Sequence, residues 1–262
     1  MPRVIAAVGV DLGATWLRAV GVDAGGRVAR RARLPAVEPG ALASALAPLL
    51  RRWRAVRPRL CVGSTRVWTP DRRAAIRASL ARLGSRVTVL SDLELAWRAH
   101  HGGGSGVLVL AGTGSVAYGG DLRGHRSRAG GLGPLLGDEG SAFWMGREWL
   151  KLRPEAEALR VAHRPDAIRA VASRARKVLS ADDAASRRIV RGALAALGAQ
   201  ARRAASRLHF GGRIPVSLHG GLFRDEAFRR AFLRMLGRRW EPVGKGRLAE
   251  DAAALYALRG IW

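Results

Sequence analysis

The pattern of apolar and polar positions predicts a chain of two similar halves. In the first half, apolar or alternating runs predict strands at 4–10, 16–22 and 27–34, joined by short turns as in an antiparallel meander. Apolar spacing and short apolar runs then predict helices and strands in alternation, with helices at 41–54, 70–83 and 92–100 and strands at 59–62 and 87–90. The predicted order of the first half is therefore β-β-β-α-β-α-β-α.

The second half repeats this order. The predicted elements are strands at 106–111, 114–119 and 126–129, helices at 141–152 and 182–208, a strand at 214–218, and helices at 227–239 and 250–259. The glycine-rich stretch 101–105 lies near the junction between the halves. We therefore expect domains at 1–100 and 101–249, with a closing helix at about 250–262 that packs back on the first domain.

Two turns of similar composition open the two halves. The first, Asp11-Leu12-Gly13-Ala14-Thr15, follows an apolar strand. Glycine lets the backbone approach a phosphate closely, and turn amides and a Thr hydroxyl can donate to phosphate oxygens. A carboxylate at a strand end can hold Mg²⁺, usually through water. Taken alone, this turn is equally compatible with an Asp-Gly hairpin.

The second turn, Gly112-Thr113-Gly114-Ser115, also joins two predicted strands. A tight hairpin explains it when it is taken alone. Two such turns at the start of two similar halves are more informative, because together they can hold a polyphosphate from both sides.

Carboxylates follow two further predicted elements. Asp92 opens a helix directly after Ser91, so it fits both a helix N-cap and a general base that accepts a hydroxyl proton. Asp138 and Glu139 follow four glycines in the segment 130–141. They fit either partners of a helix N-terminus or acceptors for sugar hydroxyls.

A final glycine pair, Gly220-Gly221, ends a predicted strand before a helix. Backbone without Cβ atoms at this point can admit a flat ring such as adenine. The alternative is a strand-to-helix loop that needs positive φ.

Composition narrows the class of protein. The net charge is +26, but lysine occurs only at Lys151, Lys177 and Lys245, asparagine is absent, and the arginines are scattered along the chain. We interpret this charge as a solvated surface that helps attract an anionic nucleotide, and we do not expect nucleic acid as a partner. The single cysteine, Cys61, excludes an internal disulfide.

Targeting signals are not expected. No apolar run reaches the roughly 18 residues of a membrane span, and the first residues do not have the order of a signal peptide. These observations predict a cytoplasmic protein without a membrane partner.

Together these segments resemble the N-acetylglucosamine kinase and BadF/BadG/BcrA/BcrD ATPase family, within the sugar kinase, Hsp70 and actin superfamily. The match is most specific over 90–141, where an Asp-led helix precedes Ala-Gly-Thr-Gly-Ser and Gly-Gly-x-Gly-x-x-x-Gly-Asp-Glu-Gly-Ser. The resemblance implies an α/β fold of two RNase-H-like, actin-like ATPase domains around a central nucleotide and sugar cleft. It also implies ATP-dependent phosphorylation of a sugar hydroxyl, on N-acetylglucosamine, glucosamine or a related amino sugar, and a homodimer.

The resemblance also implies residue roles, with ATP and Mg²⁺ as cofactors. Asp92 corresponds to the catalytic base on the sugar hydroxyl, and Asp11 to the residue that holds Mg²⁺ through water. The implied ATP contacts are Asp11, Gly13, Ala14, Thr15, Gly112, Thr113, Gly114, Gly220 and Gly221. The implied sugar contacts are Ser64, Asp92, Ser115, Gly131, Leu132, Gly133, Asp138 and Glu139.

The chain departs from the family pattern on the substrate side. Members often carry Trp where this chain has Leu132, and some hold the sugar with an Asn, which this chain lacks. The chain is also shorter than typical members of the family: the stretch after Leu34 is short, and the shortening lies between Leu152 and Asp182. ATP binding is therefore a firmer expectation than the identity of the sugar.

Two other functions are compatible with this family. A dehydratase-activating ATPase needs cysteine ligands for an iron–sulfur cluster, and related activators supply two per subunit, whereas this chain has only Cys61. A nucleotide-dependent regulator or nucleic-acid binder that lost catalysis is favoured by the charge of +26 and disfavoured by Asp92 and Asp138. The first phosphate motif begins about ten residues into the sequence, so we expect no separate helix-turn-helix domain.

Overall fold

The computed structural model describes residues 3–65 and 67–260, and the chain forms two compact units. The N-terminal unit comprises Met1–Gly103 and Lys245–Trp262, and the C-terminal unit comprises Gly104–Gly244. The last two positions of the helix predicted at about 250–262 lie outside the described residues.

The N-terminal unit follows the predicted element order. Its strands are β1 (Ala7–Leu12), β2 (Trp16–Val22), β3 (Val28–Pro35), β4 (Arg59–Ser64) and β5 (Arg86–Ser91). Its first helices are α1 (Leu42–Arg52), α2 (Pro70–Leu80) and α3 (Asp92–His101). The sheet order is β3-β2-β1-β4-β5, with the β1–β2–β3 meander antiparallel and β1, β4 and β5 parallel. The predicted meander is confirmed.

The position of β1 corrects the prediction. The strand was expected at 4–10, but it begins at Ala7 and continues to Leu12. Its residues pair with β2 on one side and β4 on the other, whereas Val4 is 81% exposed. Apolar character alone therefore placed the start of the strand too early, because pairing with two neighbours sets its limits.

The C-terminal unit contains a second five-stranded sheet. Its strands are β6 (Gly106–Ala111), β7 (Ser115–Gly120), β8 (Arg126–Gly130), β9 (Ile214–His219) and β10 (Trp240–Pro242). Its helices are α4 (Gly133–Leu136), α5 (Ala142–Leu150), α6 (Glu155–Ala162), α7 (Ala167–Ser173), α8 (Ala175–Ser180), α9 (Ala184–Ala205) and α10 (Glu226–Leu236).

The two sheets share one topology. In the C-terminal unit the order is β10-β9-β6-β7-β8, with β6–β7–β8 antiparallel and β6, β9 and β10 parallel. Each sheet is thus a three-stranded meander extended by two parallel strands on the side of its first strand. The repeat predicted from the sequence is confirmed at the level of the fold.

Several elements of the C-terminal unit differ from the predicted ones. The helix expected at 227–239 ends at Leu236, because Gly237 has φ +87° and leads into β10. Helices α4, α6, α7 and α8 and strand β10 were not predicted. One apolar cluster, to which α5, α9 and α10 contribute Met145, Leu197 and Phe232, forms the core.

The last helix, α11 (Ala249–Arg259), returns to the sheet of the N-terminal unit. It packs on β1 and β4, with Ala252, Ala253 and Ala254 buried. A Cβ atom at Gly9 would lie only 2.1 Å from the Ala254 nitrogen, so glycine is needed for this close approach.

Within the described part of the chain, no helix has the combined length and apolar character needed to span a bilayer.

Candidate functional site

In the N-terminal unit, the carboxyl ends of three parallel strands bring predicted site residues together. Leu12 at the end of β1 pairs with Ser64 of β4, and Ser64 pairs with Ser91 of β5. Asp11 and Asp92 each lie next to one of these paired residues. Open α/β sheets bind ligands at the carboxyl ends of their strands, so this edge is the expected place for a site.

A small cavity opens at this edge. It has a volume of about 200 Å³, and Gly13, Ala14 and Ser64 line it. Thus two predicted ATP contacts and one predicted sugar contact share one concave surface. Glu38 also lines the cavity and was not identified from the sequence, because it lies in an irregular segment without a recognisable motif.

The first predicted phosphate turn is a tight hairpin. The Gly13 amide donates to the Trp16 carbonyl at 3.0 Å, and Ala14 and Thr15 at the tip are exposed. The tip is therefore accessible to a ligand. A tight hairpin turn can also bind a phosphate. Thr15, which carries the hydroxyl predicted to donate to phosphate, is exposed at the tip of this turn.

Asp11 lies beside Arg18 on the neighbouring strand. An Arg18 nitrogen, Nη1, donates to Asp11 Oδ2 at 3.2 Å. Burial raises the pKa of the Asp11 carboxyl, and this effect outweighs the lowering by Arg18. A carboxylate offers about four acceptor positions, so one bond to Arg18 leaves others for water. The residue therefore fits the predicted water-mediated contact to Mg²⁺.

Asp92 is the first residue of α3, and Ser91 supplies the N-cap. The Ser91 hydroxyl accepts from the Glu94 amide at 3.1 Å, and Glu94 Oε2 accepts from the Ser91 amide at 2.8 Å. This reciprocal capping box satisfies the helix end. Ser91 therefore caps the helix, and the Asp92 carboxylate is not needed for the cap.

In the C-terminal unit, the turn after β6 is fixed against the start of α5. The Ala142 amide donates to the Gly112 carbonyl at 2.8 Å, and the Phe143 amide donates to the Thr113 carbonyl at 3.2 Å. Backbone groups at the first turn of a helix need external partners, and this loop provides them. The fixed turn is thus pre-organised for a ligand.

A large cavity joins this turn to the glycine pair after β9. It has a volume of about 870 Å³, within the range of small-molecule and cofactor sites. Gly112, Thr113 and Gly221 all line it. Residues predicted to bind phosphate and adenosine, although about a hundred positions apart, therefore face one cavity.

Three arginines that sequence reasoning missed line the same cavity. Arg169 lies on α7, Arg176 on α8 and Arg224 just after Gly221. Arginine is suited to phosphate because its guanidinium carries a permanent charge and a planar set of donors. Arginine is so frequent in this chain that no sequence signal distinguishes these three.

The two glycines predicted to contact adenosine, Gly220 and Gly221, differ in backbone conformation and in packing. Gly220 has φ +107°, and a Cβ there would lie 2.3 Å from the Ala111 carbonyl oxygen. Gly221 has φ −65°, and a Cβ there would meet nothing within 4 Å. Gly220 is thus required by packing, whereas Gly221 lines the cavity.

Asp138 adopts an unusual backbone conformation next to the turn. Its φ is +62°, and a Cβ at Gly114 would lie 2.7 Å from Asp138 Oδ2. Asp138 Oδ1 accepts from the Ser115 amide at 3.3 Å. Burial raises the pKa of the Asp138 carboxyl, although the amides of Ser115 and Gly133 act in the opposite direction. The carboxylate is thus tied to the turn itself.

A buried network links the predicted sugar residues to α9. The Ser115 hydroxyl donates to the Glu139 carbonyl at 2.8 Å, and Gln200 Nε2 donates to the same carbonyl at 3.0 Å. Gln200 was not identified from the sequence, although it is the only glutamine of the chain and lies on the buried face of a helix. Ser115 as a whole is 1% exposed, so its contact with a sugar remains a prediction.

The glycine-rich loop presents an exposed apolar side chain. Arg128 donates to the carbonyls of Gly130 and Gly131, and Gly131 and Gly133 have φ +73° and +83°. Leu132 between them is 66% exposed. The loop backbone is therefore held in place while the Leu132 side chain is available to a ligand.

Cys61 lies in β4 and is buried. Burial raises the pKa of its thiol to about 12. A metal cluster needs accessible thiolate ligands, so this residue does not provide the chemistry of a dehydratase activator.

Comparison with solved structures defines the class of fold. A candidate N-acetylglucosamine kinase from Chromobacterium violaceum is 23% identical and superposes with a TM-score of 0.72 over 98% of this chain and 99% of that one. A candidate N-acetylglucosamine kinase from Porphyromonas gingivalis is 18% identical, with a TM-score of 0.69 over 97% of this chain and 100% of that one. The fold is thus the α/β fold with RNase-H-like units of the actin-like ATPases, as the resemblance implied.

The sequence profile of the BadF/BadG/BcrA/BcrD ATPase family matches residues 63–247. Since this match covers well over half of the chain, the protein belongs to that family. An N-acetylmuramic acid/N-acetylglucosamine kinase from Clostridium acetobutylicum is 31% identical over 94 residues. That alignment covers 35% of this chain and 31% of the relative, so the match spans about a third of the relative's length.

Proposed function

We propose that the protein is an ATP-dependent sugar kinase whose substrate is an amino sugar such as N-acetylglucosamine. The observation that carries the proposal is the C-terminal cavity shared by Gly112, Thr113 and Gly221. The volume of this cavity and the arginines that line it suit a nucleoside triphosphate. Membership of an ATPase family and the similarity to kinases that act on amino sugars support the same assignment.

Several of the predicted residues have a role in this proposal. The amides of Thr113 and Gly114 donate to phosphate oxygens, and Arg169, Arg176 and Arg224 offset phosphate charge. Gly221 leaves room for the nucleoside. Ser64, Asp138 and Glu139 belong to the sugar side, and Asp92 accepts the proton of the attacking hydroxyl.

The proposed reaction transfers the γ-phosphoryl group of ATP to a hydroxyl oxygen of the sugar. The sugar oxygen forms a bond to the γ-phosphorus while the bond between that phosphorus and the β–γ bridging oxygen breaks, and ADP leaves. The hydroxyl proton passes to the Asp92 carboxylate. Mg²⁺ would supply positive charge against the phosphates, and Asp11 would hold it through water.

The test is an ADP-formation assay on purified protein across amino sugars and neutral hexoses. We expect stimulation by an amino sugar, and the variant Asp92→Asn should lose turnover by roughly 10²–10⁴-fold while nucleotide binding measured by calorimetry is retained. Asp71→Asn is the matched control, because Asp71 is an exposed carboxylate in the first turn of α2. It should leave turnover unchanged.

Two outcomes would change the proposal. Full activity in Asp92→Asn would remove Asp92 from the mechanism. If no sugar stimulates ADP formation and the protein instead binds DNA with a steep salt dependence, a nucleic-acid-binding function becomes the better explanation of the +26 charge.

A further inference from the structure

A second polar cluster lies in the C-terminal unit and contains none of the residues assigned to the kinase site. Asp121 follows β7 at the turn into β8, and His125 lies at the other end of that turn. His209 comes from the segment between α9 and β9, 88 positions from Asp121. One candidate ligand atom from each of the three residues can be chosen so that all lie within 4.8 Å of one another.

The carboxylate of this cluster is buried, and the two imidazoles are open to solvent. The Asp121 side chain is 0% exposed, whereas the His125 and His209 side chains are 51% and 56% exposed. Three backbone amides donate to the carboxylate, and hydrogen bonds of this kind favour its charged form, so the buried group is an anion.

Three backbone amides and two imidazole nitrogens face this carboxylate. Asp121 Oδ1 accepts from the amides of Arg123 and His125 at 3.0 and 2.9 Å. Oδ2 accepts from the His209 amide at 3.0 Å and also lies 2.9 and 3.2 Å from Nδ1 of His125 and His209. The three amides already occupy three of the about four lone-pair sites of the carboxylate, so at most one of the two Nδ1 atoms can donate a proton to it.

An Nδ1 atom that carries a lone pair faces the lone pairs of Oδ2 at this short distance, and a cation shared by the two Nδ1 atoms and Oδ2 removes that repulsion. Tetrahedral Zn²⁺ with bonds of about 2.0–2.1 Å separates neighbouring ligand atoms by roughly 3.3–3.5 Å. The observed separations of 2.9 and 3.2 Å between Oδ2 and the two Nδ1 atoms are somewhat shorter, so a small outward shift of the exposed imidazoles gives that geometry. The exposed outer faces of the imidazoles leave the remaining coordination position to water.

We propose that Asp121, His125 and His209 form a binding site for a divalent transition-metal ion of the zinc class. Two imidazole nitrogens and one carboxylate oxygen favour such an ion over Mg²⁺ or Ca²⁺, which prefer ligand sets made only of oxygen. The ion ties the β7–β8 hairpin to the chain between α9 and β9. Its role is structural, because it fastens two segments of one unit.

The experiment titrates metal-free, full-length protein with Zn²⁺ in competition with a chelating dye and follows thermal unfolding in parallel. We expect binding of one Zn²⁺ per chain and a higher melting temperature, since a ligand of the folded state stabilises it. The variants His125→Ala and His209→Ala should each lower Zn²⁺ affinity by at least about tenfold, since loss of even an outer-shell partner costs about that much. Mg²⁺ at the same concentration should not displace Zn²⁺ from this cluster.

His163→Ala is the matched control, because His163 is an exposed histidine elsewhere in the same unit. It should bind Zn²⁺ like the unmodified protein. Cobalt provides a second readout, because Co²⁺ bound to nitrogen and oxygen ligands absorbs visible light, and that band should be lost in both cluster variants. The proposal is overturned if the unmodified protein binds no Zn²⁺, or if the His125→Ala and His209→Ala variants bind it as tightly as the His163→Ala control.

Discussion

At the scale of single residues, Asp138 combines a functional assignment with a backbone constraint. Its φ of +62° is a left-handed conformation that Asp and Asn tolerate better than most residues. Its carboxylate contacts the turn that carries Gly114 and Ser115. The sequence showed an acid after several glycines, but the positive φ could not be predicted because it results from the closure of the whole loop.

Replacing Asp138 by Ala or by Gly separates these two contributions. Both variants lose the acceptor for the Ser115 amide, but only Ala retains the left-handed strain. We expect Asp138→Gly to be more stable than Asp138→Ala by about 1 kcal/mol in denaturant unfolding. Asp138→Asn, which keeps an acceptor and tolerates the conformation, should be the most stable of the three. An Ala variant as stable as the Gly variant would contradict the assigned backbone strain.

Cys61 provides a second prediction at this scale. Because the thiol is buried and its pKa is raised to about 12, little reactive thiolate forms near pH 8. We expect a thiol-reactive disulfide reagent to modify native protein only as fast as the protein unfolds, and denatured protein at once. The Cys61→Ala variant has no thiol and therefore provides the background signal of the assay. Rapid modification of the native protein would show that β4 is more accessible than its burial indicates.

At the scale of elements, the loops after β6 and β9 pack closely against each other. Gly220 fits against the Ala111 carbonyl, while its neighbour Gly221 faces the cavity. The sequence predicted a functional glycine pair without distinguishing the two members. The distinction depends on contact with a strand about a hundred positions earlier, which no local pattern contains.

Single alanine substitutions test this division of roles. Gly220→Ala combines positive-φ strain with a clash at the Ala111 oxygen, so we expect a loss of about 2–4 kcal/mol in the free energy of unfolding. Gly221→Ala should change stability by less than about 1 kcal/mol but weaken nucleotide binding, because its methyl group enters the cavity. Thermal unfolding and nucleotide calorimetry on both variants provide the measurements. Equal stability of the two variants would argue against the packing role of Gly220.

The strands of the two meanders were predictable because their apolar residues occur in runs typical of strands in a sheet. The strand at 16–22 was predicted with the bounds it has, and the strand at 106–111 likewise. The region between α5 and α9 was not predictable, because alanine and arginine recur there without a clear apolar period. It forms α6, α7 and α8, and two of these helices supply arginines to the cavity. The least predictable segment thus contributes charges to the candidate nucleotide site.

At the scale of the whole molecule, the N-terminal unit is discontinuous in sequence. Its sheet consists of residues before Gly103, but α11 comes from the opposite end of the chain. The helix covers β1 and β4 with a face of small side chains, and it shares an apolar cluster with Ala7, Val20 and Cys61. Formation of this unit therefore needs both ends of the polypeptide.

Removing residues 245–262 tests this dependence. The deletion uncovers one face of the sheet, and each buried apolar side chain that becomes exposed costs roughly 1.5–3 kcal/mol. A few such side chains exceed the lower end of typical domain stability, about 5 kcal/mol. We expect the N-terminal unit to lose cooperative unfolding and to become sensitive to proteolysis, while residues 104–244 remain protected.

The same contact can be broken from the side of the sheet. Gly9→Val places a side chain where a Cβ would lie 2.1 Å from the Ala254 nitrogen, so α11 cannot stay docked. This variant should reproduce the proteolytic pattern of the deletion, whereas Gly25→Val, in an exposed turn of the same unit, should not. Limited proteolysis with mass mapping and circular dichroism distinguish these results. If the deletion leaves the protection of residues 3–103 unchanged, α11 does not stabilise the unit, and its alanine face requires another explanation.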